Sequence, residues 1–103
     1  MTDAIARYTK LVLQHPQNEL ARFSLGKAHF DAGRFAEAKE QFQIALAKKP
    51  DWMAVQILVG KCEHSLGNRE AARAAFVRAS DLAREQNHAG PLAEMEELLA
   101  ELG

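Results

Sequence analysis

Sliding the chain along itself by 34 residues brings its punctuating residues into register. Pro16 falls on Pro50, Gly26 on Gly60, Gly33 on Gly67 and Lys27 on Lys61. Ala4, Ala38 and Ala72 form one series, Tyr8, Phe42 and Phe76 a second, and Leu11, Ala45 and Ala79 a third. Leu25 pairs with Val59 in the same register. A fixed period of this length is the mark of a repeat architecture, in which each supersecondary unit buries its apolar face against the next.

Each unit reads as helix, turn, helix. Asn18 is placed to cap a helix over about Glu19 to Ala32, because its side-chain oxygen can accept from a free amide of the first turn. Gly33 supplies a permissive backbone for the turn. A second helix is predicted over Phe35 to Lys48, with Lys48 and Lys49 suiting its negative end and Pro50 stopping it. Asp51 is expected to cap the next helix, which ends near Leu66, and Asn68 to cap a helix reaching Glu85. Gln86 to Gly90 reads as a loop, and Pro91 as a helix start before the apolar stripe Leu92, Met95, Leu98, Leu99 and Leu102. Asp3 to His15 reads as a second-helix half standing alone. The expectation is an all-α chain, one domain over residues 1–103. It comprises a half repeat (3–17), two full repeats (18–51 and 52–86) and a closing helix (91–102).

These features resemble the tetratricopeptide repeat (TPR) family. Its pattern asks for Leu-Gly in the first helix, and here stand Leu25-Gly26 and Val59-Gly60. It asks for Ala-x-x-x-Phe in the second, and here stand Ala38–Phe42 and Ala72–Phe76, with Ala4–Tyr8 in the half unit. Pro50 and Pro16 are the closing prolines. The resemblance covers about residues 3–86 and implies an antiparallel α-solenoid of helical hairpins. The chain departs from the pattern where first-helix aromatics are expected, with Arg22 and Gln56, and with His29 and Glu63. Arg84 stands where the second unit's proline would be.

The resemblance also implies a function: binding of an extended peptide or a helix of another polypeptide along the first helices of the units. The family's groove positions fall on Phe23, Lys27, Phe30 and Asp31 in the first unit and on Ile57, Lys61, His64 and Ser65 in the second. Helical spacing puts Phe23, Lys27 and Phe30 on one side of a helix, and Ile57, Lys61 and His64 on one side of another. A strip of this kind suits acidic side chains or a C-terminal carboxylate at the lysines and apolar side chains between them. Packing of the aromatics on the neighbouring helix, with solvated lysines, is the competing reading. Trp52 is either an interface anchor or a plug between units. The clamp by which some family members grip chaperone tails is not expected, because Phe23 replaces a basic position and neither unit offers the asparagine.

Other chemistries find little support. Net charge is −1 and the charges are mixed, so neither a nucleic-acid footprint nor a membrane-lying basic helix is indicated. His15, His29, His64 and His88 form no metal-ligand spacing, Cys62 lacks partner cysteines, and no nucleophile–base set or Gly-rich phosphate loop appears. No enzyme activity, cofactor or metal is expected. Cys62 takes the small-residue slot of Ala28, which points to burial. Met1-Thr2-Asp3-Ala4 lacks the form of a signal peptide, no run of about 18 apolar residues exists, and the lone cysteine suits a reducing compartment, so cytoplasm is expected. A second functional reading is self-association into a dimer through an apolar N-terminal edge of Ile5, Val12 and Leu13.

Overall fold

The computed structural model describes residues 3–103; Met1 and Thr2, part of the segment read above for a leader, lie outside the described residues. The described residues form six α-helices and no strand. These are α1 (Asp3–Gln14), α2 (Glu19–Asp31), α3 (Phe35–Lys48), α4 (Met53–Ser65), α5 (Arg69–Glu85) and α6 (Ala89–Leu102). Contacts divide the chain into two compact units, Met1–Pro50 and Asp51–Gly103. In the first, α2 packs against α1 and α3; in the second, α5 packs against α4 and α6.

Three of the turns close in one way. Gly33, Gly67 and Asn87 each take a left-handed φ, of 76°, 82° and 59°. In each case the next residue's amide reaches back five positions: Arg34 N to His29 O, Asn68 N to Glu63 O, and His88 N to Ala83 O. The left-handed residue itself bonds three positions back, to Phe30 O, His64 O and Arg84 O. This pairing satisfies carbonyls that a helix end otherwise leaves open. Glycine takes the left-handed backbone without steric cost, and asparagine tolerates it.

α1 to α5 begin and end within a residue or two of the helices expected from the sequence, but three local expectations are corrected. The N-cap position of α4 is held by Trp52, not Asp51, and no side chain caps the helix there; the Asp51 carbonyl accepts from Gln86 Nε2 at 3.0 Å. The 34-residue register itself pairs Trp52 with Asn18, and the preference of aspartate for caps misleads at this point. Asn68 stands at the N-cap of α5 but does not bond its backbone; Nδ2 donates to Glu63 Oε1 at 3.0 Å. The loop after α5 is shorter than expected, because Asn87 completes the turn and α6 starts at Ala89, taking in Gly90. Pro91 is tolerated as the third residue of α6, where a helix amide has no partner inside the helix. Asn18 does cap α2, accepting from Leu20 N and Ala21 N at 2.9 and 3.1 Å.

The cores follow from the repeat. Ala38, Phe42 and Ala45 on α3, and Ala72, Phe76 and Ala79 on α5, have no exposed surface. A Cβ built on Gly26 would lie 2.6 Å from Phe42 Cε1, and one on Gly60 would lie 2.4 Å from Phe76 Cε1. Each glycine therefore lets a buried ring lie directly against the backbone of its partner helix. Burying a ring of this size contributes roughly 1.5–3 kcal/mol. Met95 and Leu102 carry the second core onto α6.

Candidate functional site

The first helices owe their polar faces to the substitutions at aromatic slots. Arg22 donates from Nε to Pro16 O at 3.2 Å and from Nη1 to Gln41 Oε1 at 3.1 Å, so it ties α2 to the preceding turn and to α3. Glu63 is buried and accepts from Asn68, as above. His29 is also buried, and its Nδ1 has no hydrogen-bond partner. Burial, reinforced by the nearby Arg34 charge and opposed by Glu37, holds the His29 pKa below that of a free imidazole.

In the first unit Phe23 is half-buried, with its ring 6.1 Å from that of Phe42. Phe30 meets Phe35 edge-on at 5.4 Å, so both aromatics of the expected groove lean on α3. Lys27 Nζ bonds Asp31 Oδ1 at 2.7 Å and stands 5.6 Å from the Phe30 ring centre. That ion pair is solvated and contributes at most about 1 kcal/mol. Asp31 also ends its helix at the carbonyl pole, which disfavours a carboxylate, so helix stability does not account for it.

Phe23, Lys27 and Asp31 border one hollow of about 370 Å³. Its other wall is α1, which contributes Ala4, Arg7 and Tyr8. The Arg7 guanidinium lies over the Tyr8 ring, 5.1 Å from its centre. Arg7 was not among the residues singled out from the sequence, because the family's groove positions lie on first helices only.

The second unit treats its expected groove residues differently. Ile57 is half-buried and packs on the core cluster that includes Phe76, Met95 and Leu102. Lys61 Nζ bonds Glu94 Oε2 of α6 at 3.3 Å. The closing helix thus engages the middle of the α4 strip, while His64 and Ser65 at its end remain exposed. Trp52 is half-buried at the head of α4. Cys62 is fully buried.

The N-terminal edge is narrower than the sequence suggests. Ile5 and Val12 are buried in a cluster with Ala21, Leu25 and Ala28 of α2, and of the three edge residues only Leu13 is exposed, at 77%. Among the described residues no three histidine, cysteine or acidic side chains gather to hold a metal, and no helix is long and apolar enough to cross a membrane.

A family profile described as "Tetratricopeptide repeat" matches residues 1–62. The chain is 33% identical over 87 residues to TPR repeat-containing protein PA0015 of Pseudomonas aeruginosa, an alignment covering 84% of this chain and 81% of that protein. Among solved structures it is similar to protein BPP2914 from Bordetella parapertussis, with a TM-score of 0.85 at 25% identity over 99% of this chain and 89% of that one. It is also similar to PcrH, solved in complex with the chaperone binding region of PopD, with a TM-score of 0.89 at 19% identity over 97% of this chain and 76% of that one.

Proposed function

Because this chain belongs to the tetratricopeptide repeat family, we propose that it is a protein-interaction module that holds a peptide or helix of a partner polypeptide and performs no chemistry itself. The observation that carries this reading is the hollow beside Lys27, where Phe23 and Tyr8 offer apolar surface and Lys27 and Arg7 offer positive charge. A partner segment with an acidic group and apolar neighbours suits that chemistry. PcrH, of the same fold, is seen holding a segment of another protein, which favours the class of function without naming a partner here. On α4 the proposed contact residues are Ile57, Lys61, His64 and Ser65, with Trp52 beside them. Engaging Lys61 requires a partner carboxylate to compete with Glu94. A cytoplasmic setting is part of the proposal, consistent with a lone, buried thiol.

The test is a paired capture from lysate with two baits of equal helicity: the parent chain and one carrying Phe23→Ala, Lys27→Glu and Lys61→Glu. A partner held by the first and lost by the second supports the reading. Equal recovery by both removes these residues from the binding surface. Self-association is the second reading, favoured by the exposed Leu13 and by Leu20, 63% exposed, in the same unit. A strictly monomeric sedimentation profile at high concentration would end it.

A further inference from the structure

Lys27 and Lys61 stand in the same slot of successive first helices, 34 residues apart, yet each meets a carboxylate by a different arrangement. Lys27 bonds Asp31, one turn along its own helix, at 2.7 Å. The slot of Asp31 holds Ser65 in the second unit, so α4 carries no acid one turn beyond Lys61. The carboxylate that meets Lys61 comes instead from Glu94 of α6, at 3.3 Å.

Two features make this second contact exchangeable. Both of its side chains are open to water, and an ion pair in that setting contributes little, because solvent and salt screen it. Release of Glu94 also leaves its helix in place. α6 packs on α5, and Met95, the next residue along, is buried with Leu102 in the cluster of Ala72, Phe76 and Ala79. The Glu94 side chain can therefore turn away from Lys61 without α6 leaving the core.

A carboxylate arriving from outside would find suitable chemistry at this point of α4. Ser65 lies one helical turn beyond Lys61 on the same side of the helix and is exposed. Its hydroxyl can donate to a carboxylate oxygen, where Asp31 in the equivalent slot of α2 would repel one. We propose that Lys61 and Ser65 form the carboxylate-reading point of α4, and that Glu94 is its internal occupant, a competitor displaced by an aspartate or glutamate side chain of the bound partner while α6 stays docked. Glu94 thereby sets a threshold. A segment with no acidic group leaves the Lys61–Glu94 pair intact, and a segment with one must outcompete it. The inference rests on the peptide-binding reading above and adds which charge is read on α4 and what restrains it.

The test uses the full chain as bait for random peptides displayed on phage, whose C-termini are joined to the coat protein, so that only side chains supply carboxylates. The baits are the parent, Glu94→Gln, Lys61→Gln and Ser65→Asp, each confirmed as folded by circular dichroism. The leading acidic sequence recovered on Glu94→Gln is then made as a labelled peptide with an amidated C-terminus and measured by fluorescence anisotropy. It is expected to bind Glu94→Gln roughly threefold to fivefold tighter than the parent, the scale of one exposed ion pair. Replacing its acidic residue by the matching amide should remove that difference, and so should adding Lys61→Gln to the protein. Ser65→Asp, which rebuilds the arrangement of Lys27 with Asp31, should bind the acidic peptide more weakly than the parent. Three results would overturn the proposal: no acidic sequence enriched on Glu94→Gln over the parent, a gain in affinity that survives the amide peptide, or unchanged binding by Ser65→Asp. Recovery of the same sequences on Lys61→Gln as on Glu94→Gln would also overturn it, while leaving the hollow beside Lys27 as the binding site. If no bait enriches any sequence, this proposal and the peptide-binding reading fail together.

Discussion

Gly60→Ala tests whether glycine is required by the close approach of a ring. The added methyl would lie 2.4 Å from Phe76 Cε1, 2.5 Å from Cδ1 and 3.0 Å from Cζ. Carbon atoms rest at about 3.5–4.0 Å, so the overlap approaches an ångström or more at several atoms. Phe76 has no exposed surface into which its ring could withdraw. Forcing a methyl into a packed core costs about 1–3 kcal/mol, and this overlap argues for the upper half. Against it stands the gain in helix propensity, about 1 kcal/mol for glycine to alanine. The expected net loss is about 1–2 kcal/mol, or a fall in Tm of roughly 5–15 °C for a chain of this size. Thermal and urea unfolding followed by circular dichroism would measure it. In a Phe76→Leu background the Gly60→Ala loss should shrink or change sign, giving a coupling of at least about 1 kcal/mol. If Gly60→Ala alone is as stable as the parent, the ring yields freely and close approach does not explain the glycine.

Two further predictions concern side chains of the first helices. The folded pKa of His29 is lowered by burial, so the unfolded chain binds more protons as pH falls through the range below about 6.5. Stability should therefore decline with acidification across that window, and His29→Phe should flatten this part of a stability-against-pH curve. Asn18→Ala should cost about 1 kcal/mol through the lost cap. Asn68→Ala should act by a different route, depriving the buried Glu63 of a donor, so that adding Glu63→Gln recovers part of the loss in denaturant melts.

The fold was legible because both members of each decisive contact recur together. Gly26 with Phe42, and Gly60 with Phe76, lie in the same register, so the sequence names the ring and the surface it rests on. The polar residues at aromatic slots were visible as departures, but their partners were not. Whether Asn68 caps a backbone or serves Glu63 depends on which acceptor is buried, and one-dimensional spacing does not contain that. The Lys61–Glu94 pair was hidden for another reason: α5 has 17 residues where α3 has 14. The longer helix breaks the 34-residue register, so the position of α6 against α4 could not be read by shifting the chain. Arg7 went unnoticed because it stands on α1, outside the family's groove positions, and meets Phe23 and Lys27 only across the hollow between two helices.

The pattern of helix contacts has a kinetic consequence. In the first unit α1 meets α2 and α2 meets α3; in the second α4 meets α5 and α5 meets α6. The principal partners are thus neighbours along the chain, joined by turns such as those at Gly33, Gly67 and Asn87. Bringing such neighbours together closes only short loops, and the entropy of closure grows slowly from a small starting value. Chains dominated by local contacts of this kind fold in microseconds to milliseconds. The turns that position the candidate site are also where each hairpin can begin to form, so a substitution that disfavours the left-handed backbone at Gly33 or Gly67 would slow folding as well as weaken the folded state.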